Sequence, residues 1–375
     1  MHHSIFESAE ARGIFKDERF LYPEYIPEKL PFRESQIAEI AGSLKPLLRN
    51  GKPQNLFIFG PSGTGKTVTA RYVLRELEEY ASKVKGIYIN CFEFHTRNAV
   101  LNKLCLALGN AVPRRGLASD EIYNEFVHAL KVKNVAPIVV LDEADQLIRD
   151  KTASQLLYDL LRITELHSIH LGIMLISNIR DTLAMLDDRV RSSLSALTIE
   201  FNQYTPEQLK QILHERARNA FFEDAIEKDV INLAAAQAAK CSGDARIAIE
   251  SLLAAGRIAE KEGAKKLSVV HLKKAFERIK PRALEKASPH LDSCEKEILK
   301  IMCEHEKIFS GELYKAYCSR CKQAISERSF RDKINRLAEL NILSVRGATA
   351  EIRGRTREIM LAQPKEAIIE LLKGD

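Results

Sequence analysis

The sequence lacks the features of several classes of protein. No apolar run approaches the roughly 20 residues needed to span a bilayer, which argues against a membrane protein. No repeat of about 20–50 residues and no low-complexity tract is present, so nothing indicates a repeat architecture. Residues 1–4 carry no secretion signal, and seven cysteines, an odd number, argue against a secreted disulfide framework. We therefore expect a cytoplasmic protein with no membrane partner.

Length and composition predict a globular protein with more than one domain. The 375 residues are too many for one compact core and suit two or three domains. Apolar residues make up 45% and charged residues 29% of the chain, both ordinary for globular proteins. The net charge of +6 is modest, so it matters only if the basic residues cluster, and they do so near the C-terminus.

The first half of the chain predicts an α/β domain with a parallel sheet, over residues 1–203. Short apolar runs alternate with helical patterns, which is typical of parallel strands. Several runs are continuously apolar, as expected when helices cover both faces of a sheet. The five predicted strands are 56–59, 86–89, 138–141, 172–177 and 197–201.

Two further domains are predicted downstream. After Thr205-Pro206-Glu207, which has the pattern of a helix start, only helices follow, so residues 204–285 form an all-helical domain. The segment 280–289 has two prolines and is predicted to be a linker. The predicted order in residues 286–375 is helices at 293–305, 310–318 and 326–340, then strands at 343–346 and 357–361. This order suggests a winged helix-turn-helix.

The most specific motif is a phosphate-binding loop between the first strand and a helix. Its residues are Gly60-Pro61-Ser62-Gly63-Thr64-Gly65-Lys66-Thr67. Backbone N–H groups and the helix N-terminus hold phosphate, and Lys66 reaches the β and γ phosphates. The Thr67 hydroxyl is predicted to ligate Mg²⁺.

The third strand ends in two acids, Asp142 and Glu143, 76 residues after Lys66. Asp142 suits Mg²⁺ coordination, directly or through water. Glu143 suits a general base that deprotonates the attacking water. Taken alone, such a pair is commonly a solvated loop start. The sequence has no Asn-Lys-x-Asp motif for guanine, which favours ATP.

Two more polar residues complete the predicted catalytic set. Asn178 follows the fourth strand and can hold the attacking water or the γ-phosphate, although a simple turn is an alternative. Arg246 begins a helix of the all-helical domain, from which it can sense phosphate charge.

With these four elements in order, the chain resembles the AAA+ ATPases, and more narrowly the archaeal replication initiators related to the origin recognition complex and its helicase-loading partner. The segments 25–34 and 188–193 carry the narrower resemblance. It implies an AAA+ domain at 1–203, a lid at 204–285 and a winged helix at 286–375. It also implies that Ile26, Pro27 and Arg33 line the adenine pocket.

The resemblance further suggests Arg189 or Arg191 as an arginine finger or an inter-domain phosphate contact. Ser193 stands where clamp-loader relatives have arginine. This departure favours slow ATP hydrolysis and a nucleotide-controlled binder over activation within a ring.

Basic residues cluster between positions 315 and 357. This segment contains eleven basic and four acidic residues, a local net charge of +7. The helix from Ser326 can pack an apolar stripe while it offers cations to the major groove and phosphates. A merely solvated face is the alternative for any one of these arginines. The predicted DNA contacts are Arg328, Arg331, Asn335, Arg346, Arg353, Arg355 and Arg357.

Two weaker signals lie elsewhere in the sequence. In the resembled family an insertion after the second strand touches DNA, and here it contains Arg97, Arg114 and Arg115. The cysteines at 294, 303, 318 and 321 do not have the spacing of zinc ligand pairs, so core or surface thiols are favoured.

These observations predict a replication initiator that binds origin duplex DNA under ATP/ADP control with Mg²⁺, near the nucleoid. The resemblance adds recruitment of the replicative helicase and neighbouring paralogous initiators as partners. Two alternatives stay open: a clamp-loader-like or transposition-helper ATPase, and a signalling ATPase whose winged helix does not bind DNA.

Overall fold

A computed structural model describes residues 13–113, 116–149, 152–240, 243–278, 291–321, 324–340, 342–347, 357–362 and 365–373. The chain divides into two compact units. One comprises residues 24–208, and the other joins the N-terminal segment up to residue 23 to residues 209–375. Among the described residues, none of the helices has the length and apolar character that crossing a membrane requires.

The unit of residues 24–208 is built on a five-stranded sheet in the order β2-β3-β4-β1-β5. Every neighbouring pair is parallel, which confirms the predicted sheet. β1 and β4 are buried along their whole length, as their unbroken apolar runs predict. The strands are β1 (Leu56–Phe59), β2 (Val84–Asn90), β3 (Ala136–Asp142), β4 (Gly172–Ser177) and β5 (Leu197–Glu200).

Helices cover both faces of this sheet. They are α1 (Glu34–Leu44), α2 (Lys66–Tyr80), α3 (Arg97–Ala107), α4 (Ser119–Lys133), α5 (Ala144–Ile148), α6 (Thr152–His167) and α7 (Asp188–Leu194). Phe57 and Phe59 point into a core made largely with α3, α4 and α6, whereas Leu56 and Ile58 join a core with α1 and α2. The alternation follows from the period of two along a strand.

The predicted all-helical region follows β5. It contains α8 (Pro206–Ala220), α9 (Lys228–Lys240), α10 (Ala245–Lys261) and α11 (Val269–Arg278). Residues 14–18 pack on this region, which the sequence did not indicate. The Phe15 ring stacks on Phe221 at 4.8 Å between centroids, and the backbone N–H of Ile14 donates to Glu260 at 2.9 Å.

The C-terminal region forms the predicted winged helix. Its elements are α12 (Ser293–Met302), β6 (Lys307–Phe309), α13 (Ser310–Arg320), α14 (Glu327–Glu339), β7 (Leu343–Gly347), β8 (Arg357–Leu361) and α15 (Lys365–Lys373). The strands pair antiparallel in the order β6-β8-β7. The three-residue strand β6 and the last helix α15 were not predicted. A three-residue strand is too short to display an apolar period, so only its pairing with β8 reveals it.

Candidate functional site

The phosphate loop joins β1 to α2 and depends on glycine at its two ends. Gly60 and Gly65 have φ of 151° and 92°, in the region that favours glycine. A Cβ atom at Gly60 would lie 2.2 Å from the Phe201 carbonyl oxygen, and one at Gly65 would lie 2.8 Å from the Tyr204 hydroxyl. Larger residues would therefore displace the loop from the chain that follows β5.

Lys66 is the first residue of α2, and only 7% of it is exposed. Its Nζ donates to the carbonyl oxygens of Gly60 and Pro61, both at 2.7 Å, and to Asn178 Oδ1 at 3.0 Å. The amine therefore lies against the phosphate loop and beside the predicted water-holding residue. This position at a helix N-terminus suits contact with a phosphate chain.

Asp142 ends β3 with both carboxylate oxygens held. Oδ2 accepts hydrogen bonds from the Thr67 hydroxyl at 2.6 Å and from the Tyr88 hydroxyl at 2.7 Å, and Oδ1 accepts from the Glu143 backbone at 2.9 Å. The predicted Mg²⁺ residues thus meet in space. A hydroxyl and a carboxylate fit Mg²⁺, which prefers oxygen ligands and keeps several waters.

Glu143 lies next to this carboxylate in a left-handed conformation, with φ of 55° and ψ of 43°. Such a backbone is disfavoured for a residue with a side chain by about 1–2 kcal/mol. Its Oε2 accepts a hydrogen bond from Asn178 Nδ2 at 2.8 Å. Because β3 and β4 are paired neighbours, their carboxyl ends bring Glu143 and Asn178 together. Lys66, Asn178 and Glu143 therefore form one continuous hydrogen-bonded chain.

Tyr88 is a site residue that no sequence motif indicated. It lies on β2, the neighbour of β3, and its ring packs against the Arg71 guanidinium at 4.0 Å. Burial, reinforced by the nearby Asp142 charge, raises the pKa of Tyr88, so its hydroxyl stays a proton donor. The sequence predicted a strand at 86–89, but it did not give the order of the strands, which places Tyr88 beside Asp142.

A second polar cluster, formed by Asp145, Ser177 and Thr182, fixes the end of β4. The buried Asp145 carboxylate accepts a hydrogen bond from the Ser177 hydroxyl at 2.9 Å, and Ser177 is also 2.8 Å from the Thr182 hydroxyl. Since Ser177 precedes Asn178 directly, this network holds the backbone from which the Asn178 amide projects.

The three residues predicted for the adenine pocket differ in their exposure. Ile26 and Pro27 are half-buried, whereas only 4% of Arg33 is exposed. Burial lowers the pKa of Arg33, although a guanidinium remains protonated at neutral pH. Its hydrogen bonds go to backbone carbonyl oxygens, including Thr64 at 2.8 Å. Contact of these residues with adenine stays a prediction.

The predicted arginine contacts lie on helices. Arg189 and Arg191 are exposed on α7, and Arg191 forms an ion pair with Asp188 at 2.6 Å. Arg246 is the second residue of α10, where its backbone N–H donates to the capping Asp244 at 2.8 Å. Arg246 belongs to the unit of residues 209–375, and the phosphate contacts of these arginines stay predictions.

The winged helix shows which basic residues already have protein partners. Lys333 bonds to Asp292, and Arg336 donates to Glu295 at 2.9 Å. The Glu295 carboxylate is fully buried, so these two cations hold α14 on α12. Arg320 is likewise paired with Glu304 and Arg331 with Glu327, both at 2.5 Å. The local excess of +7 therefore overstates the charge available to a ligand.

Several predicted DNA contacts remain on the surface of this domain. Arg328, Arg331 and Asn335 are exposed on α14, while Phe330 and Ile334 are buried in the core. Asn335 Oδ1 accepts from Arg357 Nη1 at 3.0 Å, which connects α14 to β8. Arg346 lies in β7, and Arg353 and Arg355 lie outside the described residues.

The weaker DNA candidate, Arg97, has a structural partner. Its side chain is 16% exposed and pairs with Asp159 at 2.7 Å and with Asp120 at 2.8 Å. These ion pairs connect α3 to α6 and to the start of α4. Arg114 and Arg115 lie outside the described residues.

Models of three protein families match successive parts of the chain: an AAA domain at residues 49–183, a Cdc6 AAA+ ATPase-type lid domain at 210–277, and a CDC6 C-terminal winged helix domain at 298–371. The chain is 36% identical to ORC1-type DNA replication protein 1 of Sulfurisphaera tokodaii, over 98% of this chain and 95% of that protein. It is 38% identical to the protein of the same name from Archaeoglobus fulgidus, over 99% and 94%.

Two solved structures are also similar to this chain over nearly its whole length. The Aeropyrum pernix ORC1 protein in complex with DNA is 32% identical, with a TM-score of 0.70, covering 96% of this chain and 97% of that chain. The Aeropyrum pernix ORC2 protein, solved as ADPNP-ADP complexes, has a TM-score of 0.77 at 24% identity, covers 96% of this chain and 98% of that chain, and shows the same fold. The phosphate loop, the carboxylates at the end of β3 and these full-length matches lead to one conclusion: the chain is an AAA+ ATPase that belongs to the family of ORC1-type DNA replication proteins.

Proposed function

We propose that this protein is a replication initiator that binds ATP with Mg²⁺ and uses the nucleotide state to control its binding to origin duplex DNA. The observation that carries the nucleotide part is the hydrogen-bonded chain of Lys66, Asn178 and Glu143 beside Asp142 and Thr67. The DNA part is supported by the winged helix and by the relatives of the same family.

In the proposed mechanism, Thr67 and Asp142 would hold Mg²⁺, which neutralises charge on the β and γ phosphates. Lys66, now bonded to loop carbonyls, would turn its Nζ to the phosphate oxygens. Glu143 would accept a proton from the attacking water, and Asn178 would orient that water through its amide. Asn178 bonds to both Lys66 and Glu143. A phosphate that binds Lys66 would therefore also change the hydrogen bonding of the Glu143 carboxylate through Asn178.

Slow hydrolysis is the expected outcome of this arrangement. Ser193 replaces the arginine of clamp-loader relatives on α7, where it cannot supply a cation to a neighbouring phosphate. A nucleotide that persists for a long time suits a switch better than a motor. We further infer, from the resemblance alone, that the bound protein helps to recruit the replicative helicase beside paralogous initiators.

For the DNA surface, we propose that α14 lies in the major groove and the β7–β8 wing contacts the backbone or minor groove. Arg328, Arg331 and Asn335 are exposed on α14, where DNA can reach them. Arg331 pairs with Glu327 and Asn335 accepts from Arg357, so these two would exchange a protein partner for bases or phosphates. The relative from Aeropyrum pernix was solved in complex with DNA, which supports DNA as the ligand.

Footprinting on genomic DNA tests this proposal. We expect protected sites on duplex DNA, and a double variant Arg353→Ala with Arg355→Ala should bind more weakly, with a flatter salt dependence. Arg320→Ala is the matched control, because Arg320 lies in the same domain but is paired with Glu304. The absence of any protected site, with ATP still bound, would favour a signalling ATPase. Fast, partner-stimulated turnover in a stable oligomer would favour a clamp-loader-like or transposition-helper ATPase.

A further inference from the structure

Arg33 is a buried cation whose side chain does not cap its own helix. It occupies the N-cap of α1 but makes no side-chain capping bond. Instead its Nε donates to the Thr64 carbonyl, its Nη2 to the Asn202 carbonyl and its Nη1 to the Phe32 carbonyl, each at 2.8 Å. The guanidinium carbon also lies 3.9 Å from the centroid of the Tyr204 ring. Three carbonyls and an aromatic face therefore hold this cation among the described residues.

The phosphate loop rests on the same short piece of chain. Residues 201–204 follow β5 and lead to the start of α8 at Pro206. Gly60 packs against the Phe201 carbonyl and Gly65 against the Tyr204 hydroxyl, so both ends of the loop contact this segment. Arg33 bonds to Thr64 near one end of the loop and to Asn202 of the segment, which joins the two by a single side chain.

The backbone before Arg33 is also held in an unusual conformation. Phe32 has φ of 65°, in the left-handed region that residues with side chains disfavour. Its N–H donates to Glu34 Oε1 at 3.1 Å and its carbonyl accepts from Arg33. Such strain persists where surrounding contacts over-determine a position, as they do at functional sites.

We propose that Arg33 is a positioning residue that fixes the phosphate loop against residues 201–204 and so sets affinity for the β and γ phosphates rather than for adenine. This inference rests on the proposed nucleotide function and deepens it. A guanidinium presents a planar fork of donors that can serve three carbonyls at once, whereas an amine is a single point donor. Loss of the fork leaves the Thr64 carbonyl without this partner and releases the loop from its support.

The test compares ATP with AMP, which shares the adenine but lacks the β and γ phosphates. Competition against a fluorescent ATP analogue gives the ratio Kd(AMP)/Kd(ATP) for the full chain. We expect Arg33→Gln to lower this ratio by about tenfold or more through weaker ATP binding, with Arg33→Lys intermediate. Arg75→Gln is the matched control, because Arg75 also lies over a tyrosine ring, Tyr72, but is a half-buried residue of α2 that pairs with Glu76.

The outcomes separate the possible roles of Arg33. A lower ratio in Arg33→Lys, with the thermal unfolding of the nucleotide-free protein close to wild type, supports positioning of the loop even if Arg33→Gln folds poorly. Equal losses of AMP and ATP affinity leave the ratio unchanged and overturn the inference in favour of adenine contact. Wild-type protein that binds no ATP would overturn the proposed function as well, whereas wild-type binding with an unchanged variant ratio overturns this inference alone.

Discussion

Replacement of Glu143 by glutamine tests the chemistry of the site most directly. Asn178 Nδ2 donates to Glu143 Oε2 at 2.8 Å, and a glutamine side chain of the same length retains one oxygen to accept that bond. The left-handed backbone at position 143 is also unaffected. We therefore expect an intact site that has lost only its proton acceptor and its negative charge.

The expected magnitude follows from the role of a general base. Removal of such a group costs about 10²–10⁴-fold in rate, or roughly 3–5 kcal/mol of transition-state stabilisation. ATP affinity should stay within about threefold or increase slightly, because one negative charge near the phosphates is removed. Single-turnover hydrolysis and equilibrium binding of a fluorescent ATP analogue measure the two quantities separately.

Glu165→Gln is the control, because Glu165 is an exposed acid of α6 that pairs only loosely with Arg162, at 3.5 Å. It should change neither quantity. Turnover by Glu143→Gln within threefold of wild type, with normal binding, would refute the assignment of Glu143 as the base.

Three further predictions concern other parts of the structure. Lys66→Ala should abolish ATP binding in isothermal titration, because it removes the amine that lies on the Gly60 and Pro61 carbonyl oxygens of the loop; unchanged affinity would contradict the phosphate-loop assignment. Tyr88→Phe removes one hydrogen bond to Asp142 and should raise the Mg²⁺ concentration needed for half-maximal nucleotide binding by about tenfold; an unchanged Mg²⁺ titration would contradict that role. Arg336→Ala takes a partner from the fully buried Glu295 and should destabilise the packing of α14 by about 2 kcal/mol, seen as faster amide hydrogen exchange in that helix. Equal exchange in both proteins would mean that Lys333 alone suffices.

The sequence predicted the local patterns that depend on neighbouring residues. The phosphate loop, the strands β1 and β4 and the acids at the end of β3 were visible because spacing along the chain decides them. The helix α14 was visible for the same reason, since its apolar residues recur at helical spacing. Elements without such a period, β6 among them, were missed.

Side-chain partners depended on the tertiary structure. Tyr88 reaches Asp142 only because β2 lies beside β3 in the sheet, and the same ordering brings Asn178 from β4 to Glu143. In the winged helix, Lys333 and Arg336 belong to the basic cluster of the sequence. The packing of α14 on α12 nevertheless pairs these two side chains with buried or half-buried acids.

By itself, then, the sequence determined the fold class and the residues of the phosphate loop, because short motifs and periodicity encode these directly. The same motifs carried the resemblance to the family. Only the tertiary structure decided which of the charged residues are used within the protein. Arg33 illustrates the difference: the adenine contact that the family resemblance suggested stays a prediction, and only the tertiary structure reveals the hydrogen bonds that join Thr64 to Asn202, 138 positions further along the chain. Contacts over such separations arise from packing, which no local pattern of residues specifies.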